Sequence, residues 1–144
     1  MSNSRFVHLH VHTEFSLADS TIRVPAKPDQ ADPKKAKQAN LLSRSVELGL
    51  PALAVTDLNN LFALVKFYKA AEGVGIKPIA GADVLIAEEG QDPWRMTLLC
   101  RDREGYLSLS RLLTRAWRWT ASMNWPSSSW PTGSACSAMA CTWS

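Results

Sequence analysis

Histidine is absent from this sequence after position 12. All three imidazoles lie in one run, Phe6-Val7-His8-Leu9-His10-Val11-His12-Thr13, at a spacing of two. Cysteine is scarce: Cys100, Cys136 and Cys141 are odd in number and make no Cys-x-x-Cys pair, which points to a reduced, cytoplasmic chain. No apolar h-region opens the chain, and no window approaches the roughly 18 uncharged apolar residues of a membrane span. No membrane partner is therefore expected. Charge of one sign is also lacking, since 16 Lys+Arg stand against 13 Asp+Glu, and a net +3 is too small to argue for nucleic acid.

A second absence divides the chain. Beyond Leu113 there is no Leu, Ile, Val or Phe, and the last acidic residue is Glu104. Residues 118–144 are rich in Ser and carry Trp119, Trp125, Trp130 and Trp143, with Arg118 their only charge. No helical or strand period survives there, so 118–144 reads as an irregular tail, the product of a shifted reading frame in G+C-rich DNA and without a selected fold.

What is present before that point suits one soluble domain with a modest core, at 144 residues and 46% apolar. Strict alternation over 5–11 predicts a strand with Val7, Leu9 and Val11 on one face and His8, His10 and His12 on the other. A proline-rich loop follows, and then Asp32-Pro33 reads as N-cap and first residue of a helix to about Leu48, with Ala39, Leu42 and Val46 inward and Gly49 as the stop. "LPALAVTD" (50–57) is a continuous apolar run typical of a buried parallel strand. A second helix is predicted over 60–72, with Leu61, Leu64, Val65, Tyr68 and Ala71 at helical spacing, broken by Gly73 and Gly75. Strands at 77–87 and 95–101 flank the turn "EEGQDP", and a third helix spans 104–116 with Tyr106, Leu109, Leu112 and Leu113 on one side. Strand-helix alternation of this kind is α/β, with parallel pairing as the default.

Neutral imidazoles at i and i+2 on one strand face can reach a single divalent ion. Asp19, Asp57 and Asp83 each follow or end a predicted strand, where parallel sheets gather site residues. On spacing alone, a His/Asp metal cluster and a set of merely hydrogen-bonded surface histidines stand level.

The segments "HLHVHTEFSLAD" and "ALAVTDLNNLFALVKFYKAAEGVGIKPIAGADV" resemble the N-terminal polymerase-and-histidinol-phosphatase (PHP) domain of bacterial replicative DNA polymerase III alpha subunits. The likeness covers 5–117. His-x-His is generic to PHP proteins, whereas "TD-x-x-NLF-x-LVKFY" followed by "GIKPI-x-G" is specific to the polymerase subunits. The resemblance implies a distorted seven-stranded (β/α) barrel, incomplete over this length, whose active members bind up to three divalent ions and hydrolyse phosphoesters. It places His10, His12 and Asp19 at the first three ligand positions and Asp83 at a position usually held by Glu. Asp57 becomes a supporting partner rather than a ligand, and His8 stays outside the ligand set. Leu58 stands where the family has a ligand histidine, and the later ligands have no counterpart. Zinc, manganese or magnesium would bind weakly at such a site.

The resemblance then implies a structural module: a degenerate metal site on a domain that supports the rest of the polymerase alpha subunit and holds a separate proofreading exonuclease subunit, with DNA met through the parent protein. Polymerisation itself needs palm-domain carboxylates, expected far beyond Ser144. The alternative is an active metal-dependent phosphoesterase or 3'-5' exonuclease. A weaker third reading is a nucleic-acid binder using Arg101, Arg103, Arg111, Arg115 and Arg118, more simply explained as a solvated face.

Overall fold

The computed structural model describes residues 6–17, 19–25, 40–86 and 93–122, with side chains described as far as Arg118. Among these residues the regular elements are, in chain order, α1 (Leu41–Glu47), β1 (Ala52–Val55), α2 (Leu64–Gly73), β2 (Lys77–Ile86), β3 (Trp94–Leu99) and α3 (Arg103–Ser122). The architecture is α/β, as the alternation predicts. The expected helix start at Asp32-Pro33 lies outside the described residues. α1 begins instead behind Asn40, whose side chain accepts from the Leu42 and Ser43 amides while the Ser43 hydroxyl accepts from the Asn40 amide.

Two helix exits use the same device. After α1, Gly49 adopts φ 66°; its amide donates to Val46 O and the Leu50 amide to Ser45 O. After α2, Gly75 adopts φ 76°, with its amide on Glu72 O and that of Ile76 on Ala71 O. Left-handed backbone at these points suits glycine, and each pair of bonds satisfies helix-end carbonyls and turns the chain into a strand. Gly49 is the stop the sequence indicates. Gly73, by contrast, is the last residue of α2 rather than its breaker.

The sheet has the order β1-β2-β3. β1 and β2 run parallel from Ala52↔Lys77 to Val55↔Ala80. β2 and β3 run antiparallel from Gly81↔Leu99 to Ile86↔Trp94, so the parallel default fails for this pair. Only residues 87–93 separate β2 from β3, and a connection that brief suits an antiparallel pair, since a parallel one needs a crossover. Gly81 lies at the change of partner: a Cβ there would stand 2.7 Å from Leu98 O and 3.0 Å from Thr56 Cγ2.

Within the expected strand over 5–11, the described residues 6–11 form no strand and make the isolated bridge His8↔Leu53. Ala54 donates to His8 O and Thr56 to Val11 O, while the Val11 amide turns to the Thr56 hydroxyl. Three steps on this segment, from His8 to Val11, thus match two from Ala54 to Thr56 at the end of β1. The extra residue bulges the ladder and ends the strict alternation.

Two cores result. Leu42, Leu53, Val55, Phe67, Ala70, Ala71 and Ile76 are buried together between α1, β1 and α2. Ala82 and Val84 of β2 pack with Leu109 and Leu113 of α3. The inward face of α2 is therefore Ala63-Phe67-Ala70-Ala71; Val65 and Tyr68, expected inside, are exposed. α3 continues past the predicted end at 116 through Ser122, so the irregular tail does not begin at 118. A helix needs no aliphatic stripe over its last turn, and Ala116 and Arg118 are good helix formers. Residues 123–144 lie outside the described residues. No helix among those described is long and apolar enough to cross a membrane.

Candidate metal centre

The site forms where β2 changes partner. β1 pairs as far as Val55, and the chain then returns to β2 by the isolated bridge Leu58↔Asp83. The Asp83 amide donates to Asp57 O, and the Asn59 amide donates to Asp83 O at 2.7 Å. Asn59 takes φ 52°, a left-handed conformation that asparagine tolerates better than branched residues do. Asp83 is thereby fixed in mid-strand, although the sequence places it at a strand end.

Its carboxylate is fully buried and collects four donors or cations. Oδ2 lies 2.7 Å from His10 Nε2 and 2.9 Å from His12 Nε2. Oδ1 accepts from the Thr97 hydroxyl at 2.7 Å, Thr97 being its direct partner on β3. Two residues earlier on β3, Arg95 brings Nε to 3.8 Å from Oδ2. An ionised carboxylate only accepts, so each imidazole presents an Nε2–H to it. Burial pushes the Asp83 carboxyl up, but the bonds from Thr97, His10 and His12 outweigh it and hold the group below the ordinary carboxylate range.

Of the predicted ligands, His10, His12 and Asp83 do converge: their donor atoms lie within 4.8 Å of one another, as for residues that could share a metal ion. His8 stands apart, edge-on to Phe6. Asp19 approaches only from the side, with Oδ2 at 3.3 Å from His12 Nδ1, and it receives Arg95 Nη2 at 2.9 Å. Two nitrogens and one carboxylate fit a single zinc or manganese ion completed by water. They do not fit a centre of several ions: Leu58 supplies no donor beside Asp83, and Asp19 is ion-paired.

Asp57 does something different from lining the cluster. Its buried carboxylate accepts from the Thr13 amide (2.6 Å), the Thr13 hydroxyl (2.7 Å) and the Ser16 hydroxyl (2.6 Å). Ser16 Oγ in turn accepts from the Leu58 amide. Asn60 Nδ2 donates to Phe15 O and Leu58 O. The loop that follows His12 is thus tied to the loop that precedes Asp83's bridge, which sets where the His12 ring sits.

Arg95, Thr97, Thr13 and Ser16 were missed in the sequence. The signal for the β3 pair was present: Arg95 and Thr97 are the polar members of an alternating strand, placed two apart on one face. Their meeting with Asp83 required the antiparallel register.

The family model for the PHP domain matches residues 8–130. The DNA polymerase III subunit alpha of Xylella fastidiosa (strain Temecula1) is 80% identical over 117 residues, covering 81% of this chain and 10% of that protein. The DNA polymerase III subunit alpha of Pseudomonas aeruginosa is 46% identical over 115 residues, covering 78% of this chain and 8% of that protein. Among solved structures, an amidohydrolase from Chromobacterium violaceum aligns with a TM-score of 0.46 and 21% identity over 81% of this chain and 38% of that one. The chain therefore spans about a tenth of the length of the polymerase subunits it matches. From His8 onward, through the histidine run, the Asp57–Leu58 turn and Asp83, the chain belongs to the PHP-domain family.

Proposed function

We propose that this chain is the N-terminal PHP portion of a replicative DNA polymerase III alpha subunit, acting in DNA replication as a structural module. In this reading it supports the remaining domains of the subunit and holds the separate proofreading exonuclease, in a cytoplasmic replication complex that meets DNA through the parent protein. The observation that carries it is the 80% identity over 117 residues to a DNA polymerase III subunit alpha. In the parent the open α/β sheet would be completed into the PHP barrel by further strands. Residues 131–144 lie beyond the family match, and 123–144 carry no Leu, Ile, Val or Phe, in keeping with a shifted reading frame.

The state of the site supports a structural rather than a hydrolytic role. The histidines and Asp83 satisfy one another by hydrogen bonds, and Leu58 and the Arg95-bound Asp19 leave too few free donors for several ions. If metal binds, His10, His12 and Asp83 hold it, and it would supply a Lewis acid; magnesium, which prefers a full oxygen shell, fits this donor set least well. The second reading, an active phosphoesterase or 3'-5' exonuclease, draws on the convergence of those same three side chains.

Deleting residues 6–122 from the full alpha subunit and testing co-elution with the purified exonuclease subunit separates the readings, alongside hydrolysis of an activated phosphodiester by this chain with zinc or manganese. The structural reading expects lost co-elution and no turnover. Retained co-elution together with metal-dependent turnover that disappears in His12→Ala would establish the hydrolase instead.

A further inference from the structure

Arg95 stands where the charge balance of the cluster is decided. Its guanidinium is 2.9 Å from Asp19 Oδ2 through Nη2 and 3.8 Å from Asp83 Oδ2 through Nε. One planar cation thus faces both carboxylates near His12, whose ring is itself flanked by the same two oxygens at 3.3 Å and 2.9 Å. Among the described residues, every buried side-chain nitrogen and oxygen has a hydrogen-bond partner. The buried polar atoms of the cluster therefore have their hydrogen-bond partners from the protein itself.

We infer that Arg95 is a built-in cation that competes with a divalent metal for this site, withholding Asp19 as a ligand and screening Asp83. This deepens the reading of a degraded metal centre and rests on it. The physical case has three parts. A guanidinium stays charged at any physiological pH, so its occupancy of the carboxylates does not switch off. It cannot ligate a metal, and a divalent ion seated between His10, His12 and Asp83 would face a like charge a few ångströms away. Arg95 also lies on β3 two residues before Thr97, and the antiparallel register that sets Thr97 opposite Asp83 puts Arg95 opposite Leu85, on the same edge of the cluster. The side chain is half-exposed, so it has room to swing out, and metal binding then carries the cost of breaking its two ion pairs.

The test uses the whole chain, stripped with a chelator and titrated with zinc or manganese alone by calorimetry or equilibrium dialysis. Arg95→Gln removes the charge while keeping a shorter polar side chain, and its affinity should rise by about tenfold or more over wild type, the range in which groups around a metal act. Arg95→Lys keeps the charge but loses the fork that spans both carboxylates, and should gain several-fold. Adding Asp19→Asn to Arg95→Gln should return much of the gain, since Asp19 is then no longer a ligand. Circular dichroism of each apo variant reports whether it is folded. A folded Arg95→Gln or Arg95→Lys that binds no tighter than wild type overturns the inference, and if the first fails to fold the second decides. The wild-type titration alone tests the degraded-site reading: tight stoichiometric zinc there would defeat that reading, whereas the difference between wild type and the Arg95 variants tests this one.

Discussion

Asp57 holds Thr13 twice, by its amide at 2.6 Å and by its hydroxyl at 2.7 Å. The two residues are 44 positions apart, so a single buried carboxylate joins the end of the histidine run to the end of β1. With Ser16 as third donor, Asp57 is the fastening that turns a bulged, extended segment into a fixed arm.

Removing that carboxylate should be costly. Asp57→Ala leaves the Thr13 and Ser16 donors buried without an acceptor, and a loss of about 3 kcal/mol is expected at the level of a few unmade hydrogen bonds. Urea unfolding measures it. A loss below about 1 kcal/mol would mean that water or a local shift replaces the carboxylate.

Gly81 is required by space rather than by backbone conformation. A methyl group there would press on Leu98 O and Thr56 Cγ2, so Gly81→Ala should destabilise by about 1–3 kcal/mol, the range for overpacking. The same substitution should loosen the β2–β3 edge, seen as faster amide exchange at Cys100, whose amide donates to Ala80 O. Unchanged stability and exchange would show that the two strands separate freely here.

Acid should act through Asp83. Its carboxyl is held below its ordinary range, so the stability it contributes is complete above the ordinary carboxylate value of about 3.9 and is lost as pH falls through the lowered folded value. Urea midpoints of wild type and Asp83→Asn, compared from about pH 6 downward, should differ most at the upper end and converge in acid. A constant difference across the range would remove Asp83 from the acid response.

The C-terminal segment is expected to be dispensable to the fold, because among the described residues the first core reaches no further than Ile76 and the second no further than Leu113. Truncation after Ser122 should leave the thermal midpoint nearly unchanged. Truncation after Leu113 also removes Trp117, whose indole Nε1–H donates to Asn59 O at 2.8 Å, and should cost about 1 kcal/mol more. If truncation after Ser122 unfolded the chain, residues 123–144 would be a structural element and the frame-shift reading would be wrong.

Much of this protein was determined by sequence alone, wherever the signal is local. Glycine at Gly49, the apolar run at 52–55, the Leu109–Leu113 spacing and the paired His10 and His12 each act through neighbours within a turn or a strand, and each is found where expected. The resemblance to PHP domains likewise rests on contiguous residues, Leu58 among them. Tertiary structure alone decided what depends on register. The change of partner along β2 made its second half antiparallel, and that pairing set Thr97 opposite Asp83 and brought Arg95 to the cluster. The bulge against β1 broke an alternation that the sequence shows as unbroken. Packing chose Phe67 over Val65 and Tyr68 as the inward face of α2, because a helical stripe several residues wide leaves more than one face available. The resemblance makes Asp57 a supporting partner rather than a ligand. Only the folded chain shows what it supports, Thr13 and Ser16, since which donors reach a buried carboxylate depends on which loops the sheet brings together.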